Sequence, residues 1–171
     1  MEFIDLKQQY KSIDKEVDSA IQKVLSHGKY IMGPEVVDLE ERLKKYTKSG
    51  YCISCSSGTD ALLMALMALD VKAGDIILTT PFTFIATAEV IALTGATPVF
   101  IDINPMTFNI EPDLIETKIK EILNSSSASI KGIIPVNIFG LPCDYNKIEK
   151  VCKKYNIPII EDAAQSFGAK Y

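Results

Sequence analysis

The sequence predicts an α/β protein built on a mostly parallel sheet sandwiched by helices. Two observations lead there. Segments with helical apolar spacing alternate with short β-prone runs along the 171 residues, which is the order a helix-covered parallel sheet requires. The runs Ile76, Ile77, Leu78 and Ile133, Ile134 are apolar without a break, as strands covered on both faces are.

Taken in order, Lys7 to His27 carries Ile13, Val17, Ala20, Ile21, Val24 and Leu25 at helical spacing and stops at Gly28, with His27 placed to favour the carbonyl pole. Gly33 and Pro34 open a second helix to about Tyr46, with Pro34 at its first position. A β-prone stretch at Tyr51 to Ser54 ends at Ser56, Ser57, Gly58, Thr59, and a helix is expected over Gly58 to Leu69, apolar nearly all round from Asp60 to Leu69, as a buried helix would be. Further strands are expected at Ile76 to Thr79, Thr97 to Asp102, Gly132 to Asn137 and Pro158 to Glu161. Helices are expected at Thr83 to Thr94, Pro112 to Leu123 and Asp144 to Tyr155, the last opening on an acid suited to capping. Asn124 to Ser129 is polar and serine-rich and reads as a surface loop. No internal repeat is visible.

With 47% hydrophobic and 23% charged residues, the chain can bury one substantial core, and one domain over 1–171 is expected. The net charge of −4 and the scattered lysines give no general attraction for nucleic acid or an anionic membrane. Glu2 and Asp5 flank only short apolar pieces, with no leader and no run fit to span a bilayer, so a cytoplasmic protein is expected. Cys52, Cys55, Cys143 and Cys152 form two distant pairs without zinc spacing. The C-x-x-C at Cys52 and Cys55 lies before the Gly58 loop without partners, and His27 is the sole histidine. No metal is expected.

Two stretches carry chemistry. Ile157, Ile159 and Ile160 lead into Glu161 and Asp162, which places Asp162 at a strand's carboxyl end, where open α/β sheets bind ligands. An acid there, followed by Ala163, Ala164 and Gln165, suits a ring nitrogen. Gly58 begins a helix whose first turn offers unpaired N–H groups and a partial positive charge, a cradle for phosphate. There Ser57 and Thr59 add hydroxyls, and each hydrogen bond to a charged group contributes about 1.5–3 kcal/mol. The plainer alternatives stay open: an ordinary N-cap for Ser57 and Thr59, a helix cap for Asp162, a solvated turn residue for Gln165 and a core ring for Phe84. No strand is followed by G-x-G-x-x-G, which disfavours a nicotinamide-dependent oxidoreductase.

The stretches Ser56 to Leu62 (SSGTDAL), Pro81 to Ala88 (PFTFIATA), Gly95 to Ile103 (GATPVFIDI) and Glu161 to Ala169 (EDAAQSFGA), with Phe3 to Tyr10 and Gly28 to Val36, resemble the sugar aminotransferases of the DegT/DnrJ/EryC1/StrS family in family order. The resemblance implies a pyridoxal phosphate enzyme of the aspartate aminotransferase fold (fold type I), with this chain forming the N-terminal part of the large domain. It implies that Ser57, Gly58 and Thr59 hold the phosphate, Asp162 pairs with the pyridine nitrogen, Gln165 reaches the phenolic oxygen and Phe84 stacks on the ring. Tyr30, Met32 and Gly33 match the segment bordering the substrate pocket. Asn137 stands where many members have histidine.

The implied reaction passes an amino group from an amino acid, glutamate being the expected donor, to a nucleotide-linked keto sugar in a homodimer. The Schiff-base lysine of the family lies beyond the EDAAQ motif and is expected beyond Tyr171. Lys170 is too close to Gln165 to serve and reads as a solvated side chain. The chain is therefore expected to be inactive by itself, as a shortened gene product or an expressed piece of a longer protein. Two rivals remain: a dehydratase branch of the same family with histidine in place of the lysine, and a non-catalytic α/β module with a phosphate-holding loop.

Overall fold

The apolar run at Ile76 occupies the middle of the sheet. A computed structural model of the chain describes residues 4–171, so Phe3 of the N-terminal motif and Glu2 lie outside the described residues. Strand β1 (Ile76–Thr79) lies between β2 (Thr97–Phe100) and β3 (Ile130–Ile134), and both neighbours run parallel to it. Because side chains alternate along a strand, Ile76 and Leu78 enter one core with Ile115, Ile119 and Ile148. Ile77 enters another with Leu62, Leu66, Val90 and Ile91. Helices α5 (Pro112–Ser125) and α6 (Tyr145–Tyr155) supply the first layer, α3 (Gly58–Ala68) and α4 (Ala86–Leu93) the second. This is the two-sided cover that the unbroken apolar runs predict.

The expected strand at Pro158 to Glu161 is present only as two parallel bridges, Ile133 with Ile159 and Val136 with Asp162. They share one register. Ile133 N–H donates to Pro158 O and Ile160 N–H to Ile133 O, then Asp162 N–H to Pro135 O and Asn137 N–H to Asp162 O. The donor the ladder needs between these pairs is the N–H of residue 135, and proline has none. The same missing donor ends β3 at Ile134 instead of Asn137, and a 3-10 turn, Ile138–Gly140, follows.

Other expectations are corrected. Tyr51 to Ser54 forms no strand; at its end the Ser54 N–H and hydroxyl both donate to the Glu40 carboxylate, at 2.8 and 2.7 Å, which takes that N–H from any ladder. Helix α3 is not enclosed all round: Leu62 and Leu66 are buried against the sheet, while Met64 and Met67 are exposed. Helix α4 starts at Ala86, three residues later than expected from Thr83, after a turn through Phe84 and Ile85.

Contacts divide the chain into two compact units, Met1–Ser54 and Cys55–Tyr171. The sheet and its four helices belong to the second. The first contains α1 (Leu6–His27) and α2 (Pro34–Thr47). Asp5 caps α1 by accepting the Gln8 N–H at 2.8 Å, and Gly28, at φ 67°, closes it. His27 accepts the Lys29 N–H at Nδ1, so its neutral ring carries the proton on Nε2, which lies 3.2 Å from the Glu35 carboxylate. Gly33 precedes Pro34 where a Cβ would come within 2.3 Å of the Lys29 carbonyl oxygen, so only glycine fits there.

Ile133 is wholly buried and packs into the α5/α6 layer. Ile133→Ala is expected to lower unfolding free energy by about 2–5 kcal/mol, read from urea denaturation. A loss below about 1 kcal/mol would contradict the packing described.

Candidate functional site

The carboxyl end of the sheet and the start of α3 open on one cavity of about 390 Å³, lined by Gly58, Thr59, Phe84, Thr87, Glu161 and Asp162 among others. The size suits a small cofactor. Four of the residues singled out from sequence, Gly58, Thr59, Phe84 and Asp162, thus share a hollow. Their placement has local causes. Gly58 begins α3 because Ser57, in extended conformation, accepts the Asp60 N–H at 3.1 Å, which leaves the Gly58 and Thr59 N–H groups as free first-turn donors. A Cβ added at Gly58 would meet no protein atom within 4 Å, so the backbone there is open to a ligand.

Ser57 does not line the cavity. Its hydroxyl, like that of Ser56, donates to the Asp60 carboxylate, and these bonds hold the Asp60 carboxyl below its usual range. Ser57 therefore acts as an N-cap, the plainer of its two readings. Gln165 also lies outside the lining; its side-chain oxygen accepts the Phe139 N–H at 2.8 Å. Phe84 lines the cavity and is 72% exposed, so it is not a core residue. Tyr30, Met32 and Gly33 belong to the first unit, where they line an open groove with Gly28 and Pro34. Lys170 is exposed.

Asp162 is 8% exposed, and a carboxylate so poorly hydrated needs hydrogen-bond donors. Among the described residues it has two. Thr87 Oγ1 donates to Oδ2 at 3.0 Å and the Ala164 N–H to Oδ1 at 3.2 Å. Glu161 adds a second carboxylate to the cavity, and its Oε1 accepts from Asn137 Nδ2 at 2.6 Å. Among the described residues no lysine or arginine lines the cavity. One end thus presents carboxylates and the other a helix N-terminus, which suits a ligand cationic at one end and anionic at the other.

Sequence reasoning did not find Thr87 or the work of Asn137. Thr87 stands four residues after Thr83, a spacing that was available as a signal for a shared side. Asn137 is 1% exposed and makes four side-chain bonds: Nδ2 to Glu161 and to Ser166 Oγ, and Oδ1 from the Cys143 N–H and the Tyr145 hydroxyl. It is a buried brace between the loop after β3 and the Glu161 to Ser166 segment. Its marks in the sequence were a polar side chain at the end of the expected strand Gly132 to Asn137 and a family position where many members have histidine. Nearby, burial holds the Tyr145 hydroxyl well above its ordinary range and, with Glu161, pushes the Cys143 thiol up to about 12. Burial also raises the Cys152 thiol to about 11. Among the described residues no group of histidine, cysteine and acidic side chains could hold a metal, and no helix is long and apolar enough to cross a membrane.

Residues 11–171 match the sequence profile of the DegT/DnrJ/EryC1/StrS aminotransferase family. The chain is 50% identical over its whole length to a UDP-2-acetamido-2-deoxy-3-oxo-D-glucuronate aminotransferase of Pseudomonas aeruginosa, covering 46% of that protein. It is similar to the crystal structure of a DegT DnrJ EryC1 StrS aminotransferase from Brucella abortus, with TM-score 0.94 and 43% identity over 97% of this chain and 44% of that one. A Bacillus subtilis structure, NtdA with bound cofactor PMP, aligns with TM-score 0.82 and 32% identity over 92% of this chain and 34% of that one. The chain spans about half the length of the curated relatives it matches.

Asn137→Ala strips partners from Glu161, Ser166 and Tyr145 together, and is expected to cost about 2–4 kcal/mol of stability. It should also speed labelling of Cys143. In the parent at pH 8, Cys55 is expected to react with a thiol reagent rapidly and Cys143 and Cys152 only as the chain unfolds, as read by peptide mass after quenching.

Proposed function

Because this chain belongs to the DegT/DnrJ/EryC1/StrS aminotransferase family, we propose that it is the cofactor-binding part of an enzyme that uses pyridoxal 5'-phosphate to move an amino group onto a nucleotide-linked keto sugar. The observation that carries this reading is the single cavity lined by the first turn of α3 and by Asp162. The donor set fits the cofactor. The free N–H groups of Gly58 and Thr59, at the positive pole of α3, receive the phosphate, and the buried Asp162 carboxylate receives a protonated pyridine nitrogen. Each needs the charge the other end lacks.

When bound, pyridoxal phosphate supplies an electron-withdrawing ring that accepts negative charge from the reacting carbon. The chain's own residues orient that ring. Asp162 holds the proton on the nitrogen, and at 4 Å two unit charges interact by about 4 kcal/mol at a moderate effective dielectric. Phe84, exposed at the cavity, stacks on one face and limits tilt. Gln165 turns to the phenolic oxygen through its amide nitrogen while its oxygen stays on Phe139. Ser57 contributes by fixing the turn that aims Gly58 and Thr59.

No lysine lines the cavity among the described residues, and covalent capture of the cofactor is assigned to a lysine beyond this chain. Glutamate as amino donor, a homodimer and a substrate pocket bordered by Tyr30, Met32 and Gly33 complete the reading on family resemblance. The relative from Pseudomonas aeruginosa, named for a UDP-linked 3-oxo sugar acid, supports a nucleotide sugar oxidised at carbon three as the acceptor.

Titrating the chain with pyridoxal phosphate and following its visible absorbance tests the cofactor assignment. Asp162→Asn is expected to weaken binding by about one to two orders of magnitude, the value of a hydrogen bond between charged groups. Gly58→Val, which puts a branched side chain at the phosphate turn, is expected to weaken it comparably. Equal affinity in parent and both variants would contradict the assignment.

A further inference from the structure

Thr87 is 1% exposed, on the first turn of α4, and its hydroxyl has one proton. That proton goes to Asp162 Oδ2, a carboxylate oxygen that can only accept, at 3.0 Å. The second contact of the Thr87 hydroxyl, 3.0 Å to Thr83 Oγ1, must then run the other way, with Thr83 donating. Counting hydrogens thus fixes a directed chain from Thr83 to Thr87 to Asp162. Its origin lies in the turn before α4, at the rim that also carries Phe84.

The chain acts where little else can. Among the described residues the other protein donor to the Asp162 carboxylate is the Ala164 N–H and no lysine or arginine lines the cavity, and the adjacent Glu161 carboxylate adds negative charge to it. A hydrogen bond to a carboxylate favours its charged form over its protonated form. We propose that Thr87, steadied by Thr83, is a positioning residue that orients Asp162 and keeps the proton shared with the cofactor on the ring nitrogen. This rests on the proposed cofactor. Without the Thr87 hydroxyl, Asp162 becomes the better proton acceptor, the proton passes from ring nitrogen to carboxylate oxygen, and the ring loses its positive charge with no other bond made or broken.

The test uses the full chain saturated with pyridoxal phosphate labelled with ¹⁵N in the ring, at one neutral pH, and reads the nitrogen chemical shift and the affinity. The parent and Thr87→Ser are expected to give the shift of a protonated ring nitrogen. Thr87→Val, similar in shape but without the donor, is expected to move the shift toward the unprotonated value and to weaken binding roughly tenfold. Thr83→Val should move both in the same direction by less. A Thr87→Val protein that melts earlier but keeps the parent's shift and affinity has lost only packing, and that result overturns the proposal while leaving the cofactor assignment intact. If the parent itself binds no pyridoxal phosphate, or binds it with a bare ring nitrogen, the cofactor assignment falls and this inference with it.

Discussion

The register that pairs Val136 with Asp162 is the constraint on which the site depends. Asp162 gives its N–H to Pro135 and takes the Asn137 N–H on its carbonyl, so both of its backbone polar groups are tied to the segment that follows β3. Side-chain position follows from that. Asn137, one residue past the bridge, spends its amide on Glu161 and Ser166 and its oxygen on Cys143 and Tyr145, which locks the segment that carries Asp162. A buried polar group with every bond made gives a rigid local structure, whereas a partly satisfied one would cost stability. Among the described residues no buried side-chain nitrogen or oxygen is left without a partner.

The cavity's electrostatics follow from the same architecture. A parallel sheet brings the carboxyl ends of its strands and the N-termini of the following helices to one edge. Here that edge holds a helix start with free N–H groups facing a pair of carboxylates. Asp60 tempers the positive pole, but Ser56 and Ser57 bind its carboxylate within the turn, so the Gly58 and Thr59 N–H groups remain for a ligand. The hydroxyls of Thr83 and Thr87 act at the opposite end. Each pole is thus shaped by hydroxyl groups bonded to an acid.

Much of this was legible in the residues. Apolar spacing, apolar runs and capping residues placed the six α-helices of the described residues, and the runs at Ile76 and Ile133 indicated a parallel sheet covered on both faces; where one core was expected, the structure has a separate core on each face. Gly58, Thr59 and Asp162 were singled out because ligand positions in open α/β folds follow from strand ends and helix starts, and Phe84 through the family resemblance; the structure brings all four to one cavity. What failed depended on partners distant in sequence. Tyr51 to Ser54 has strand propensity, but the Glu40 carboxylate, fourteen residues earlier, takes the Ser54 donors. Pro158 to Glu161 pairs in the expected direction, yet a missing N–H on the neighbouring strand, at Pro135, breaks its ladder. Thr87 looks like an ordinary helix residue and Asn137 like the end of a strand until tertiary packing brings Asp162 and Glu161 against them. The stretch that includes Met64 and Met67 read as buried all round because apolar composition alone does not say which sides of α3 are covered.

The central claim is that the first turn of α3 and Asp162 grip opposite ends of one cofactor. A crystal structure of the chain soaked with pyridoxal phosphate tests it most directly. The account predicts phosphate oxygens within hydrogen-bond distance of the Gly58 and Thr59 N–H groups and the pyridine nitrogen at a carboxylate oxygen of Asp162. Cofactor density lying elsewhere, or reversed with the phosphate toward Asp162, would contradict it.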